Sequence, residues 1–373
     1  MKALHIGIDG NPLSQSLTGI GRYVYELILY LSQAIPEATF FVYSKDPIIS
    51  EIEFPKNCIL VCEESWIFRR LNKSLWVKFR LFHHALKNKL EIFWAPSFVL
   101  PNWLSKETKT ILTIHDLVVE LYPKTVKLSQ RIRNKIFFQK DLRTCNILIT
   151  ISQGTSDRLY LRYGRSADLI VRPPISKLFT SYFLSSHQPK LSELDISAPY
   201  FLSVATMEPR KNLEILLDVF KFIKINDVFS TYKLVLVGSE GWKNKKLRKK
   251  IAQFREIGVI NLGYIPDHYL PLLYSNAEIF IFPSIYEGYG MPVAEAIACG
   301  AKVLASDVPE IREAGGSWAT YVEPTIDNLV KAVFNNRFIS ENRKSTPEVP
   351  EKISQDWRKD ASRFADLIKE LAQ

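Results

Sequence analysis

Glu287 and Glu295 stand in "EGYGMPVAE", separated by seven residues and enclosing Gly288, Gly290, Met291 and Pro292. Proline suits the first turn of a helix, where no N–H is needed, and Gly300 suits its stop. A helix is therefore expected from about Met291, with N–H groups near Gly290 and Met291 open to a ligand. Helix N-termini favour anions, yet two carboxylates are placed here. A carboxylate repels phosphate but accepts hydrogen bonds from hydroxyls. Upstream, Arg210 and Lys211 lie in "MEPRKNL", where another helix begins. Two cations at a helix N-terminus oppose its dipole and call for an external anion. A diphosphate fits, with arginine as a planar fork and lysine as a point charge. A ligand with a diphosphate between two sugars would use the cations, the N–H groups and the hydroxyl acceptors together. A bland account also stands: Glu295 as a favourable first-turn acid, and Arg210–Lys211 as a solvated basic turn.

Two further groups follow apolar runs. Gly19 and Gly21 flank Ile20 before a helical pattern that begins near Arg22 and continues through Leu27, Leu31 and Ile35. Glycines there let backbone N–H groups approach a phosphate, or simply form a tight turn. The third glycine of a dinucleotide fingerprint is missing, which weakens a dehydrogenase reading. "TILTIHDL" ends a strand-like run in His115 and Asp116. His115 is able to bind a sugar hydroxyl or move a proton, with Asp116 orienting it. A packed histidine beside a capping aspartate explains the pair equally well.

Something must hold these residues at loop positions. Short runs rich in Val, Ile and Phe recur between helix-length stretches, six in each half, from "LHIGID" to "DLIVRPP" and from "YFLSVA" to "ATYVEP". That alternation implies an α/β fold of parallel sheets covered by helices. We expect two Rossmann-like domains whose sheets face each other across a cleft, with ligands beyond the carboxyl ends of the strands. The expected boundaries are 1–190 and 191–351, joined through "SSHQPKLSELDISAP" (185–199). A last helix, 352–373, with Trp357, Phe364, Leu367 and Leu371 on one face, is expected to cross back onto the first domain.

The 373 residues carry a net charge of +10. Residues 1–190 hold 26 Lys+Arg against 15 Asp+Glu, whereas 191–373 hold 23 against 24. The front half should therefore meet something acidic. Nucleic acid is a poor candidate, because RNA-binding aromatic motifs are missing. The four cysteines fit no zinc or disulfide pattern. With no export signal at the start and no apolar run long enough to span a bilayer, a cytoplasmic protein is expected.

Taken together, "LTGIGRY", "TIHDL", "ITISQGTSDRL", "SVATMEPRKNL", "LVLVGSEGW", the run from "INLGYIPD" to "EAIACG", and "VLASDVPEIREAGG" resemble the retaining, GT-B-fold glycosyltransferases of family 4. The resemblance spans about 5–325 and looks most like bacterial mannosyltransferases of surface-polysaccharide synthesis. It implies transfer of a hexose, with GDP-mannose favoured, from a nucleoside-diphosphate sugar to a lipid-linked or polysaccharide acceptor, with retention. Arg210 and Lys211 would hold the donor diphosphate and Glu287 the sugar hydroxyls. Gly290 and Met291 would contact sugar or phosphate, and Glu295 the ribose. Ile265 and Asp267 would line the base pocket, and Gly19 and Gly21 would approach the phosphates. His115 would sit at the reacting centre, with Asp116 and Ser152 nearby. No cofactor or metal is expected, since no Asp-x-Asp motif is present. A disaccharide-type synthase with a soluble acceptor, or a nucleotide-sugar epimerase, remains an alternative on the same fold.

One stretch has another role. "SWIFRRLNKSLWVKFRLFHHALKNKL" (65–90) has seven Lys/Arg and no acid. Leu71, Leu75, Phe79, Phe82 and Leu86 recur at helical spacing, with Trp66 and Trp76 nearby. This suits an interfacial helix on an anionic membrane surface, at the inner face of the cell membrane. An ordinary core-facing helix with a wet basic side has the same pattern.

Overall fold

The computed structural model describes residues 4–14, 19–49, 53–180, 189–197, 199–225, 227–242, 244–335 and 348–373. It contains two parallel sheets. The first runs β3-β2-β1-β4-β5-β6-β7, from β1 (Leu4–Asp9), β2 (Ala38–Ser44), β3 (Cys58–Cys62), β4 (Ile92–Ala95), β5 (Lys109–Ile114), β6 (Ile147–Thr150) and β7 (Leu169–Ile170). The second runs β10-β9-β8-β11-β12-β13, from β8 (Tyr200–Val204), β9 (Lys233–Val237), β10 (Val259–Gly263), β11 (Ile279–Phe282), β12 (Val303–Ser306) and β13 (Ala319–Val322). Strand order reverses between β1 and β4 in one sheet and between β8 and β11 in the other. These are the points where ligands of doubly wound sheets bind.

The central apolar runs become strands because both faces of each are covered. In the second sheet, Leu202, Val235, Val237, Phe280 and Phe282 enter one core. Their neighbours Phe201, Leu234, Leu236, Ile279 and Ile281 enter the other. The period of two thus splits continuous apolar runs between two faces. One strand in the first sheet was not expected. β3 lies at the sheet edge against β2, and Ile59 and Leu60 stay exposed, so its short run does not have the burial of the central strands.

The chain divides into two compact units, 1–117 with 128–174 and 355–373, and 118–127 with 175–354. The boundary falls at 174/175 rather than 190/191, because Ile175, Leu178 and Phe179 pack in the second unit's core. Of the expected linker, 185–188 and 198 lie outside the described residues; Leu191, Leu194 and Ile196 also pack in that core. The last helix is Glu348–Leu371. Its buried stripe is Ala361, Phe364, Ala365 and Ile368, so the core face is rotated away from the expected Leu367 and Leu371. Phe364 meets Trp94 of β4 edge-on at 5.3 Å, and Arg172 holds buried Asp360 at 2.7 Å.

The 65–90 stretch is not one helix. It breaks into Trp66–Arg69, Lys73–Trp76, a π-helical turn at Val77–Leu81, and Phe82–Lys87. Asn72 restarts it by accepting from the Ser74 N–H. Buried Glu63 draws Trp76 inward through its indole N–H at 2.9 Å, and Arg80 at 2.9 Å. Lys78 is buried against Asp141. Trp76 is therefore interior, while Trp66, Leu75, Phe79 and Leu86 remain exposed.

Truncating a fully buried aromatic removes its transfer energy and leaves a cavity. Phe364→Ala should lower stability by about 3–5 kcal/mol, read as a lower urea midpoint for the unfolding of the first unit.

Candidate active site

β8 and β11 are hydrogen-bonded neighbours, so the loops at their carboxyl ends meet although 76 residues separate Lys211 from Glu287. The β8 loop closes in a 3-10 turn, Pro209–Lys211. Asn212 follows with φ +55°, and the helix Leu213–Ile223 begins. Asparagine tolerates this left-handed conformation better than most side chains. It turns the chain so that Lys211 points inward, where it is buried.

Four charges then form one cluster. Lys211 Nζ donates to Glu287 Oε1 at 2.5 Å. Arg210 Nη1 donates to Glu287 Oε2 at 2.7 Å and to the Tyr286 carbonyl at 3.2 Å. Its Nε donates to Glu208 Oε2 at 3.0 Å. The Arg210 carbonyl accepts the Ile285 N–H at 2.8 Å, so side chain and backbone both fasten the two loops. The two cations thus have internal anions in this structure, and the Glu287 carboxylate is directed at them. Glu208 was missed, although it stands two residues before Arg210.

Burial and pairing compete at Glu287, Lys211 and Glu208. Burial alone would raise the Glu287 carboxyl, but Lys211 and Arg210 outweigh it and hold it at about 2. Burial presses the Lys211 ammonium downward, opposed by Glu287. Burial pushes Glu208 up, opposed by Arg210.

The helix Met291–Ala298 begins beside this cluster. Gly290 precedes it with φ +111°, a conformation open to glycine and strained for other residues. The Val293 and Ala294 N–H groups donate to the Gly290 carbonyl at 2.9 and 3.3 Å, and Pro292 has no N–H to offer. Glu295 sits on the inward face, buried, and accepts from the Tyr274 hydroxyl at 3.2 Å. After β10, Ile265 packs in the core and Asp267 opens a short 3-10 turn half-buried.

In the first unit, His115 is buried, and its Nε2 donates to the Pro96 carbonyl at 2.6 Å. Burial lowers its pKa to about 4, so the ring is neutral at pH 7. Tyr23 packs edge-on at 5.1 Å. Asp116 is half-buried next to it. Gly19 and Gly21 lie inside the first turn of the helix Gly19–Ala34, which starts earlier than expected; the loop 15–18 lies outside the described residues. Ser152 caps the helix Gln153–Tyr163 by accepting the Thr155 N–H at 3.0 Å, which accounts for it structurally.

Sequence reasoning missed two further features. At the β1/β4 switch point, buried Asp9 accepts from the Asn11 amide at 2.6 Å and from the Ser97 hydroxyl at 2.7 Å. The run "IDGN" carries that signal, an acid and an amide at a strand's end. The other feature is the segment 118–127, which belongs to the second unit although it follows His115–Asp116 directly. Tyr122 stacks on Tyr286 at 5.5 Å, and the Trp242 indole N–H donates to the Thr125 carbonyl. No periodicity marks this segment, and the contacts that tie it to the second unit come from residues distant in sequence.

Two family descriptions match the chain: Glycosyltransferase Family 4 over residues 17–174 and Glycosyl transferases group 1 over 188–355. The chain belongs to the family 4 glycosyltransferases. It is 29% identical over 344 residues to O-antigen chain mannosyltransferase B of Escherichia coli, covering 86% of this chain and 87% of that protein. It is 26% identical over 227 residues to O-antigen chain mannosyltransferase RfbU of Salmonella typhimurium, covering 60% of each. In fold this glycosyltransferase is similar to a sucrose-phosphate synthase from Thermosynechococcus elongatus, with TM-score 0.71, 20% identity and 99% of both chains covered. It is also similar to WaaG, a glycosyltransferase involved in lipopolysaccharide biosynthesis, with TM-score 0.67, 14% identity and coverage of 99% of this chain and 98% of that one. The two sheets are those of the GT-B fold.

The low Glu287 pKa has a measurable consequence. A carboxyl depressed on folding stabilises fully above its unfolded pKa of 4.5, and that stability is lost as pH falls toward 2. Glu287→Gln should therefore flatten the fall in unfolding free energy between pH 4.5 and 2, measured by urea titration of wild type and variant. An unchanged slope would mean the carboxylate is not held by its cations.

Proposed function

We propose that this glycosyltransferase moves a mannosyl residue from GDP-mannose to a polysaccharide-type acceptor, retaining the anomeric configuration. The observation that carries the donor half is the buried Glu208–Arg210–Lys211–Glu287 cluster at the β8/β11 switch point, beside the N-terminus of the Met291–Ala298 helix. The mannosyltransferase names of the relatives support the choice of sugar.

On donor binding the diphosphate replaces Glu287 as the partner of Arg210 and Lys211. The released Glu287 carboxylate accepts hydrogen bonds from the sugar hydroxyls, and the N–H groups at Gly290 and Met291 add to the phosphate contacts. Glu295 holds the ribose, and Ile265 and Asp267 lie toward the base. Departure breaks the bond from the anomeric carbon to the diphosphate, which takes the electron pair. Positive groups fixed where that charge develops lower the barrier. The acceptor oxygen then bonds to the anomeric carbon on the face just vacated, and its proton passes to the leaving phosphate. Arg210 and Lys211 supply the positive charge, so the reading requires no metal. Neutral His115, whose Nε2 already donates to the Pro96 carbonyl, keeps Nδ1 as a hydrogen-bond acceptor.

The acceptor is proposed to be membrane-associated. Among the described residues no helix is long and apolar enough to cross a bilayer. Exposed Trp66, Ile67, Phe68, Phe79 and Leu86 lie among cations on the 66–89 segments, a composition suited to peripheral attachment at an anionic surface near a lipid-linked glycan.

Lys211→Ala and Glu287→Ala should each lower turnover at least tenfold with the fold retained, about 1.4 kcal/mol or more of barrier. In a thermal-shift panel of GDP-mannose, UDP-glucose and UDP-N-acetylglucosamine, GDP-mannose should give the largest rise. Wild-type turnover in both variants would sink the assigned site, and a larger rise with a UDP sugar would overturn the donor. The anomeric coupling constant of the product, read by NMR, tests retention.

A further inference from the structure

The helix Leu128–Thr144 is oddly supported. Of its 17 residues only Phe138, Asp141 and Leu142 are buried. Leu128, Ile132 and Ile136 are 65%, 52% and 59% exposed. Their spacing of four places them on one face. At about 3.6 residues per turn, Ile136 and the buried Phe138 point to opposite sides. An apolar stripe therefore looks away from the core along the helix's first turns.

Its surroundings are basic. Arg131, Lys135 and Lys140 are exposed along the same helix. The helix's one acid, Asp141, is consumed inside by Lys78. That buried pair also fastens the helix to the 66–89 segments. Above it, Phe79 meets Phe137 at 6.3 Å and Trp103 at 5.6 Å, and Phe82 meets Trp103 at 5.1 Å. Trp103, Phe79 and Leu86 are themselves exposed. Two elements from distant parts of the first unit thus share aromatic contacts and carry cations, with no acid on 65–90 and none exposed on the helix.

We propose that the Leu128/Ile132/Ile136 stripe is a second bilayer-contacting element, seated with Trp103 and the 66–89 segments on an anionic lipid surface. This rests on the peripheral attachment proposed above. The charge pattern selects the occupant: apolar side chains flanked by lysine and arginine suit the acyl boundary beneath anionic headgroups. An interface between copies of this chain would set these like charges against each other. Exposed Trp103, packed on Phe79 and Phe82 of the adjoining segments, fits the same boundary, where one side of the ring is apolar and the other wet.

The test is co-sedimentation of the full chain with phosphatidylcholine vesicles, with and without phosphatidylglycerol, at two salt concentrations. Wild type should pellet only with phosphatidylglycerol, and less at high salt. The double variant Ile132→Glu/Ile136→Glu should bind about tenfold more weakly, as should Phe79→Glu. The uncharged pair Ile132→Gln/Ile136→Gln gives the same readout should the glutamates impair folding, which melting curves report. Loss of binding in Phe79→Glu with full binding in both double variants would overturn the second element and leave peripheral attachment standing. No binding by wild type would overturn both. Sedimentation showing a wild-type oligomer that the double variants dissociate, with vesicle binding unchanged, would assign the stripe to self-association and overturn the proposal.

Discussion

A buried pair of opposite charges is costly to assemble and more costly to break, because a lone ion left without water loses several kcal/mol. Glu287 lies under that constraint with Arg210 and Lys211. Much of the second unit is arranged to satisfy it. Neighbouring strands bring the two loops together, Asn212 adopts a left-handed conformation so that Lys211 faces inward, and Glu208 occupies the remaining side of Arg210. The cluster holds two positive and two negative groups. A ligand that enters it must offer an anion good enough to displace a carboxylate, and must then give the displaced carboxylate something to bind.

The two sheets close their switch points differently. At β1/β4 the bridge is Asp9 with an amide and a hydroxyl, whereas at β8/β11 it is ionic. The first holds its loops with neutral partners. The second holds them with groups that an anion is able to recruit.

Legibility in the sequence followed the range of the forces involved. Twelve of the strands were visible because apolar runs with turn signals are local patterns; the edge strand β3, half exposed, was not. Arg210, Lys211, Glu287 and Glu295 were visible as residue types at helix starts. Their pairing was not, because it depends on β8 lying beside β11, a matter of strand order. The same limit hid the role of 118–127 and the rotated face of the last helix. Helical spacing in 65–90 was read as one helix, since nothing local shows that Glu63 and Asp141 pull Trp76 and Lys78 inward.

The segment 118–127 bears on how such enzymes exchange specificity. With it and with 355–373, the chain passes between its two units four times. A chimera made by joining two relatives at one point near residue 175 would keep the donor's sheet but inherit Tyr122 and Thr125 from the other parent, against a Tyr286 and Trp242 they did not evolve beside. The final helix would likewise be mismatched to Trp94. Transplanting the second unit intact requires three junctions more than one, at 117/118, 127/128 and 354/355. Recombination along this chain is thus restrained by its threading, because no single junction carries either unit over intact.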